Sequence, residues 1–510
     1  MDIEHAAIGT GTTLPKHCKV LIVGGGISGI CLAAQLARNR INDFIVLEKS
    51  HNVGGTWLDN TYPGCGCDIP SLLYSFSFAG RVAWSRKYAP QTEILQYFND
   101  CVDRFSIRQN FYFGQSVTSA RWDDSAKCWE VTTSSGEIIT CKYFVSAVGQ
   151  LSRPAFPSIE GIESFEGTLF HSARWPDDFD PRDLKVGVVG NGASAIQIIP
   201  EIAKSAQKVE IFQRSPNWIL PRHDHTYGRY WKFLNRYIPF AARLQRLLMY
   251  LAFEFRILFY NRRTFLNKMF TGWSRMRMKR RVPASMARDV IPTFPAGCKR
   301  VLLSNNYLES LHKENVRLVT DQIKSITSRG IRTASGEIPL DAIVLSTGFQ
   351  ANRFLYPLDI HGRENRSLSE LWGTRPQSYL GMLVPYFPNF CMLYGPNTNL
   401  GHNSIIFMVE CQVRYLLRLI RMTENQACDC FEVTEEATRD FDRDLQRHLN
   451  KKVWNGYAKN WYTNKEGYIT NNWCRSTLAY MWQTRRVKKS ALSFSFRTCT
   501  RAADTTPTVC

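Results

Sequence analysis

Two kinds of hydrophobic pattern alternate along this chain. Short unbroken apolar runs rich in β-branched residues, KVLIV at 19–23 and FIVL at 44–47, predict strands buried on both faces. ICLAAQLARN at 30–39 has the length and spacing of a helix packed on such a sheet. The same order of strand, glycine-rich turn, helix and strand returns in DLKVGVVGNGASAIQIIPEIA (183–203) and KVEIFQRS (208–215). Two such units predict an α/β fold with two Rossmann-like, parallel-stranded domains. Between the units, TEILQYFNDCVDRF (92–105) predicts a helix, and alternating strands run through Val117, Trp122, Trp129–Val131 and Ile138–Val148. Further on, Leu244, Leu247, Leu248, Leu251, Phe255 and Leu258 recur at helical spacing, predicting two or three helices inserted in the second unit. Residues 384–425 predict a strand, a Gly-Pro-Asn turn and a long helix, and an acidic helix follows.

The turns carry the first chemistry. Gly24, Gly26 and Gly29 stand where a dinucleotide fold needs a tight turn, a close approach of backbone to pyrophosphate, and close packing of helix on sheet. The next strand ends on Glu48, a carboxylate suited to the free hydroxyls of an adenosine ribose. In the second unit Gly190 and Gly192 hold the first two places and Ala195 the third, and the following strand ends on Arg214. Glu48 and Arg214 both lie 24 residues past their first glycine. A guanidinium donates two charge-assisted hydrogen bonds to a 2′-phosphate, so the second site suits a phosphorylated ribose; a solvated charge at a strand end is the other reading of Arg214.

Composition narrows the class. With 510 residues and 44% hydrophobic content the chain can bury more than one core. No apolar stretch reaches the length of a spanning helix and the N-terminus lacks the order of a signal peptide, so a cytoplasmic protein is expected. The fifteen cysteines are scattered without the paired spacing of a zinc ribbon, which predicts free thiols and no metal; Cys65 with Cys67 and Cys428 with Cys430 are the closest approaches. The net charge of +20 is local: residues 222–281 hold fifteen Lys or Arg against Asp224 and Glu254. That segment reads either as a lid whose apolar face covers a substrate pocket or as an interfacial helix on anionic lipid. No aromatic-basic module for nucleic acid is present in the sequence.

After Glu48 comes a long loop, KSHNVGGTWLDNTYPGCGCDIPSLLYSFSF, and at 165–176 the segment FEGTLFHSARWP fills a Phe-x-Gly-x-x-x-His-x-x-x-Trp-Pro pattern between the two glycine turns. Phe165, Gly167, His171 and Trp175 are therefore read as a joint between two cofactor domains, with a conformational part for His171 rather than proton transfer; a loop whose rings simply pack is the alternative. The fingerprint, GGTW, YPGxxxD and this motif together resemble the Baeyer–Villiger monooxygenases, from about Lys19 to about Val487. Gly66 departs from the resemblance, for many of that family carry Arg there, and Ser346 replaces an alanine common in relatives.

The resemblance implies FAD in the first domain and NADP(H) in the second. It implies FAD contacts from Gly24, Gly26, Gly29, Glu48, Thr56, Trp57, Asp59, Asp68, Ile69, Tyr74 and Val117. For NADP(H) it implies Gly190, Asn191, Gly192, Ala193, Ser194, Ala195, Arg214, Ser215, Lys299 and Trp461. The implied reaction inserts one oxygen atom of O2 beside the carbonyl of a lipophilic ketone through a flavin C4a-peroxide, giving an ester or lactone. Arg300 would stabilise that anion and Asp68 would orient Arg300. The runner-up is an N- or S-oxygenating flavin-containing monooxygenase. The expected organisation is a flexible leader at 1–17, the first part of the FAD domain at 18–152, and a linker with the NADP domain at 153–340 carrying the insertion 222–290. The second part of the FAD domain with C-terminal helices would occupy 341–487, and a disordered tail 488–510. Peripheral membrane contact through the basic insertion is the one further partner the sequence suggests.

Overall fold

A computed structural model describes residues 13–80, 82–455, 462–464 and 466–496. The apolar run after position 17 becomes β1 (His17–Val23), which leads through the glycine turn into α1 (Ile27–Arg38) and back into β2 (Phe44–Leu47). A one-turn helix α2 (Thr56–Asp59) and α3 (Gln91–Arg104) precede β3 (Phe111–Tyr112), β4 (Val117–Asp123), β5 (Cys128–Thr133) and β6 (Ile138–Ser146). β1 lies between β2 and β6, parallel to both, and is covered on both faces, which is why its residues from Val20 to Val23 are all apolar and buried. Among the described residues this sheet runs Asp359–His361, β4, β5, β6, β1, β2, β3, with Phe390–Met392 also pairing β6. The return of residues 359–392 to the first sheet makes that unit discontinuous in sequence.

The second sheet is parallel throughout. It contains β7 (Thr168–His171), β8 (Lys185–Val189) and β9 (Lys208–Phe212), in the order Val316–Val319, β9, β8, Ala342–Leu345, β7. Helix α4 (Ala195–Ile202) follows β8. The chain thus leaves this sheet after Leu345, a few residues beyond the boundary at 340 expected from the sequence, because Ala342–Leu345 pairs with β7 and β8. Both ends also differ from expectation. Leu14 is buried and His17 is already paired with Thr140, so order begins inside the expected leader; residues 1–12 lie outside the described part. Leu492–Ser495 is a strand pairing antiparallel with Cys430–Val433, so the expected tail at 488–510 is structured at its start, and 497–510 is not described.

Among the described residues the insertion holds three helices of more than one turn, α5 (Arg229–Tyr237), α6 (Pro239–Phe255) and α7 (Phe265–Lys279), and a one-turn helix at Ala287–Val290. It is fastened to the C-terminal part by Glu254, whose buried carboxylate accepts from the Thr477 backbone (2.5 Å) and hydroxyl (2.7 Å) and from Asn403 Nδ2 (2.8 Å). These donors and nearby His402 hold the acid down at about 2, against the opposing effect of burial. No described helix is long and apolar enough to cross a membrane.

Candidate active site

A cavity of about 2250 Å³ is lined from both sheets. On the first side the turn needs glycine at 24, where φ is +108° and a Cβ would stand 2.7 Å from the Ala147 carbonyl. At Gly29 the reason is space: a Cβ would lie 1.9 Å from the Gly24 carbonyl, so α1 rests directly on the turn. Gly26 caps α1 without a side chain, and Gly26, Ile27 and Ser28 line the cavity, presenting a helix N-terminus of the kind that receives phosphate. Glu48 is buried and its carboxylate accepts from the backbone N–H groups of Gly25 (2.5 Å) and Ser50 (2.8 Å), which pins it beside the turn. Thr56, Trp57, Asp59, Asp68, Ile69, Tyr74 and Val117 all line the same space, whereas Gly29 lies beneath it. Trp57 Nε1 donates to the Tyr74 hydroxyl at 3.0 Å with the rings edge to face. Burial raises the Asp59 carboxyl against the opposing charges of Lys49 and Arg174.

On the second side Gly190, Asn191, Gly192, Ala193 and Ser194 line the cavity, while Ala195 is buried at the start of α4 as a packing position. A Cβ at Gly192 would meet nothing, so the backbone there is open to a ligand. Arg214, Ser215 and Lys299 come together at the end of β9, and Lys299 Nζ donates to Ser215 Oγ at 2.6 Å. Burial and then the charge of Arg214 lower the Lys299 pKa. Neither cation pairs with a carboxylate among the described residues, and two crowded cations with a hydroxyl fit a dianionic phosphate. Trp461 lies outside the described residues.

Arg300, which precedes a short strand at Leu302–Leu303, reaches across to the loop after α2 and donates from Nη2 to Asp68 Oδ2 at 2.6 Å. Both line the cavity, and the Asp68 charge raises the Arg300 pKa above its ordinary value. Tyr394 and Tyr462 stand close enough to add to that effect. The same loop is held to the second unit by Tyr62, whose hydroxyl donates to Gln197 Oε1 at 3.0 Å, and by Gln197 Nε2 donating to the Gly66 carbonyl at 2.9 Å. A Cβ at Gly66 would lie 3.2 Å from Arg222 Nη2, which itself donates to the Cys67 carbonyl at 2.6 Å. A guanidinium from the second unit therefore stands where a side chain at 66 would project.

Phe165, Gly167, His171 and Trp175 do not line the cavity. His171 ends β7, is 1% exposed, and lies between the rings of Phe156 and Phe349. Its Nδ1 accepts from the Ala173 backbone N–H, which assigns the proton to Nε2, and Nε2 donates to the Gly348 carbonyl at 3.1 Å. Gly348 lies where the two segments linking the sheets meet, beside the isolated bridge of Pro154 with Phe349: Ala155 N donates to the Gly348 carbonyl and Thr347 Oγ1 to the Ala155 carbonyl. With both ring nitrogens taken by backbone, His171 has none left for a substrate. A Cβ at Gly167 would strike the Asp341 carbonyl and the Phe165 ring, and Trp175 packs edge to face on Phe170 and Phe179.

The insertion corrects one expectation. Leu244, Leu247, Leu248, Leu251, Phe255 and Leu258 are exposed and do not cover the pocket. The cavity wall is instead Arg256, Phe259, Tyr260, Met269, Phe270 and Trp273, from the turn after α6 and from α7. No pattern in the sequence marks these six, because they reach the cavity only through the fold-back of α7 on that turn.

Two nucleotide cradles facing one cavity, with an arginine–carboxylate pair between them, define an oxidoreductase built on two dinucleotide-binding units. A family model described as pyridine nucleotide-disulphide oxidoreductase matches residues 21–231. The chain is 39% identical to the FAD-binding monooxygenase ktnD of Aspergillus niger, over 92% of this chain and 80% of that protein. It is 34% identical to a Baeyer-Villiger monooxygenase of Pseudomonas aeruginosa, over 93% of this chain and 90% of that protein. Its fold matches the crystal structure of OTEMO in complex with FAD and NADP with a TM-score of 0.85 at 28% identity, covering 94% of this chain and 99% of that one. The chain belongs to the Baeyer–Villiger monooxygenase family.

Proposed function

We propose that this protein is an FAD-dependent, NADPH-consuming monooxygenase that places one oxygen atom of O2 beside the carbonyl of a lipophilic ketone, giving an ester or lactone. The observation that carries this reading is the 2.6 Å contact of Arg300 with Asp68 at the seam of the two units. When bound, NADPH supplies hydride and FAD supplies the activation of O2. The turn at Gly24–Gly26 and Glu48 hold the FAD pyrophosphate and ribose, assisted by Thr56, Trp57, Asp59, Ile69, Tyr74 and Val117. Gly190–Ser194 receive the NADP(H) pyrophosphate, and Arg214, Ser215 and Lys299 its 2′-phosphate. Arg300 is cationic at every working pH, so it stabilises negative charge developing on oxygen without giving up a proton. Asp68 holds its guanidinium in place, and the aromatic wall of the insertion excludes water. His171 acts through position, tying β7 to the crossing at Gly348. Peripheral contact of the basic insertion with a lipid surface is a separate proposal that this activity does not require.

The test is NADPH consumption under air with cyclic, aryl and long-chain ketones, with product mass read for one added oxygen. Ester or lactone from at least one ketone supports the reading. Oxygenation of amines or sulfides with every ketone left untouched would replace it with heteroatom oxygenation.

A further inference from the structure

We infer that the helical insertion docks on an anionic lipid surface and that the cavity mouth opens onto it, so that the ketone enters from the lipid phase. On α6 the side chains Phe240 (75% exposed), Leu244, Leu247 (51%), Leu248 (59%), Leu251 (49%) and Phe255 form one stripe at helical spacing, and it faces solvent. Phe265 (73%), Met269, Trp273 and Met276 form a second exposed stripe on α7. Exposed apolar stripes with this aromatic content match a helix pair lying in a lipid interface, with its rings at the headgroup level.

Charge selects the occupant. Arg243, Arg263, Lys268, Arg275, Lys279 and Arg280 are exposed on and beside α6 and α7, whereas the nearby carboxylates are spent inside the protein: Glu254 is buried on Thr477 and Asn403, and Asp224 pairs with Arg86 at 2.9 Å. The surface is therefore basic around an apolar centre. A second copy of the chain would bring the same charge against it, whereas anionic headgroups complement it. Met269 and Trp273 connect this face to chemistry, because they stand on the exposed stripe of α7 and also line the cavity. The entry of substrate rests on the function proposed above; the docking does not.

The experiment uses the full-length flavin-loaded protein with vesicles of phosphatidylcholine, with or without phosphatidylglycerol. Sedimentation with the anionic vesicles, weakened by salt, is expected. The variant Leu247→Glu/Leu248→Glu/Leu251→Glu changes only side chains outside the cavity, so it folds and keeps its KM for NADPH. Its partitioning onto anionic vesicles falls by about tenfold or more. For a long-chain ketone carried in the vesicles its kcat/KM falls in step, and for a water-soluble ketone it does not. Equal vesicle binding by parent and variant overturns the docking. So does a parent dimer that the variant turns into a monomer, which assigns the face to a second copy. Unchanged kcat/KM on the vesicle-borne ketone overturns the entry route alone. Vesicle binding by a protein that oxygenates no ketone leaves the docking standing and removes the proposed activity.

Discussion

The guanidinium of Arg300 and the carboxylate of Asp68 are 232 residues apart in sequence and 2.6 Å apart in space. Replacing Arg300 with alanine is expected to lower ketone oxygenation by about 10²–10³-fold, the cost of removing one charge-stabilising donor. NADPH oxidation should continue without ester or lactone, and product-to-NADPH stoichiometry reads the difference. At the cofactor end, Arg214→Gln is expected to raise KM for NADPH by about tenfold or more, since a hydrogen bond to a charged group contributes roughly 1.5–3 kcal/mol. KM for NADH, which lacks the 2′-phosphate, should stay nearly level, and an equal rise for both would place Arg214 elsewhere. Residues set beside a glycine turn or at a strand end were legible from spacing: Glu48 and Arg214 are both where the numbering put them, each at the edge of the cavity. Arg300 was legible only through family resemblance, and Arg256, Tyr260 and Trp273 had no signal at all.

Elements were read well in kind and less well in what they face. The leucine spacing on α6 gave the helix but left open which side was solvent, because periodicity records an apolar stripe without naming its neighbour. The joint at 165–176 shows the same limit. The motif read His171 as part of a joint between two cofactor domains; the structure puts it at the end of β7, and only the backbone partners Gly348 and Ala173 show that both ring nitrogens are occupied. Burial lowers the His171 pKa in the folded chain below its unfolded value of about 6.5. The unfolded chain therefore takes up the proton more readily, so stability from this site is complete above about pH 6.5 and is lost as pH falls from there through the lowered folded value. Thermal melts of parent and His171→Gln from neutral to mildly acid pH should show a shallower decline for the variant. Parallel curves would mean that His171 contributes nothing to that decline.

At the scale of the molecule, two sheets share one cavity and are joined by two segments that meet at Pro154–Ala155 and Gly348–Phe349, so ligands that touch both should stabilise the whole. Saturating NADP+ is expected to raise the melting temperature of the flavin-loaded protein by a few degrees, because a ligand at about 100 times its Kd adds about 2.7 kcal/mol. Arg214→Gln should need far more NADP+ for the same rise, read by thermal denaturation across a titration. By itself the sequence determined the two strand–turn–helix units, the glycine turns that open them and the helical nature of the insertion, since each depends on residues near one another in the chain. The tertiary structure alone decided which carboxylate meets Arg300, which aromatic residues wall the cavity, and that the leucine face of α6 looks outward. Those are contacts across long stretches of chain, and local spacing carries no information about what lies on the far side of a contact.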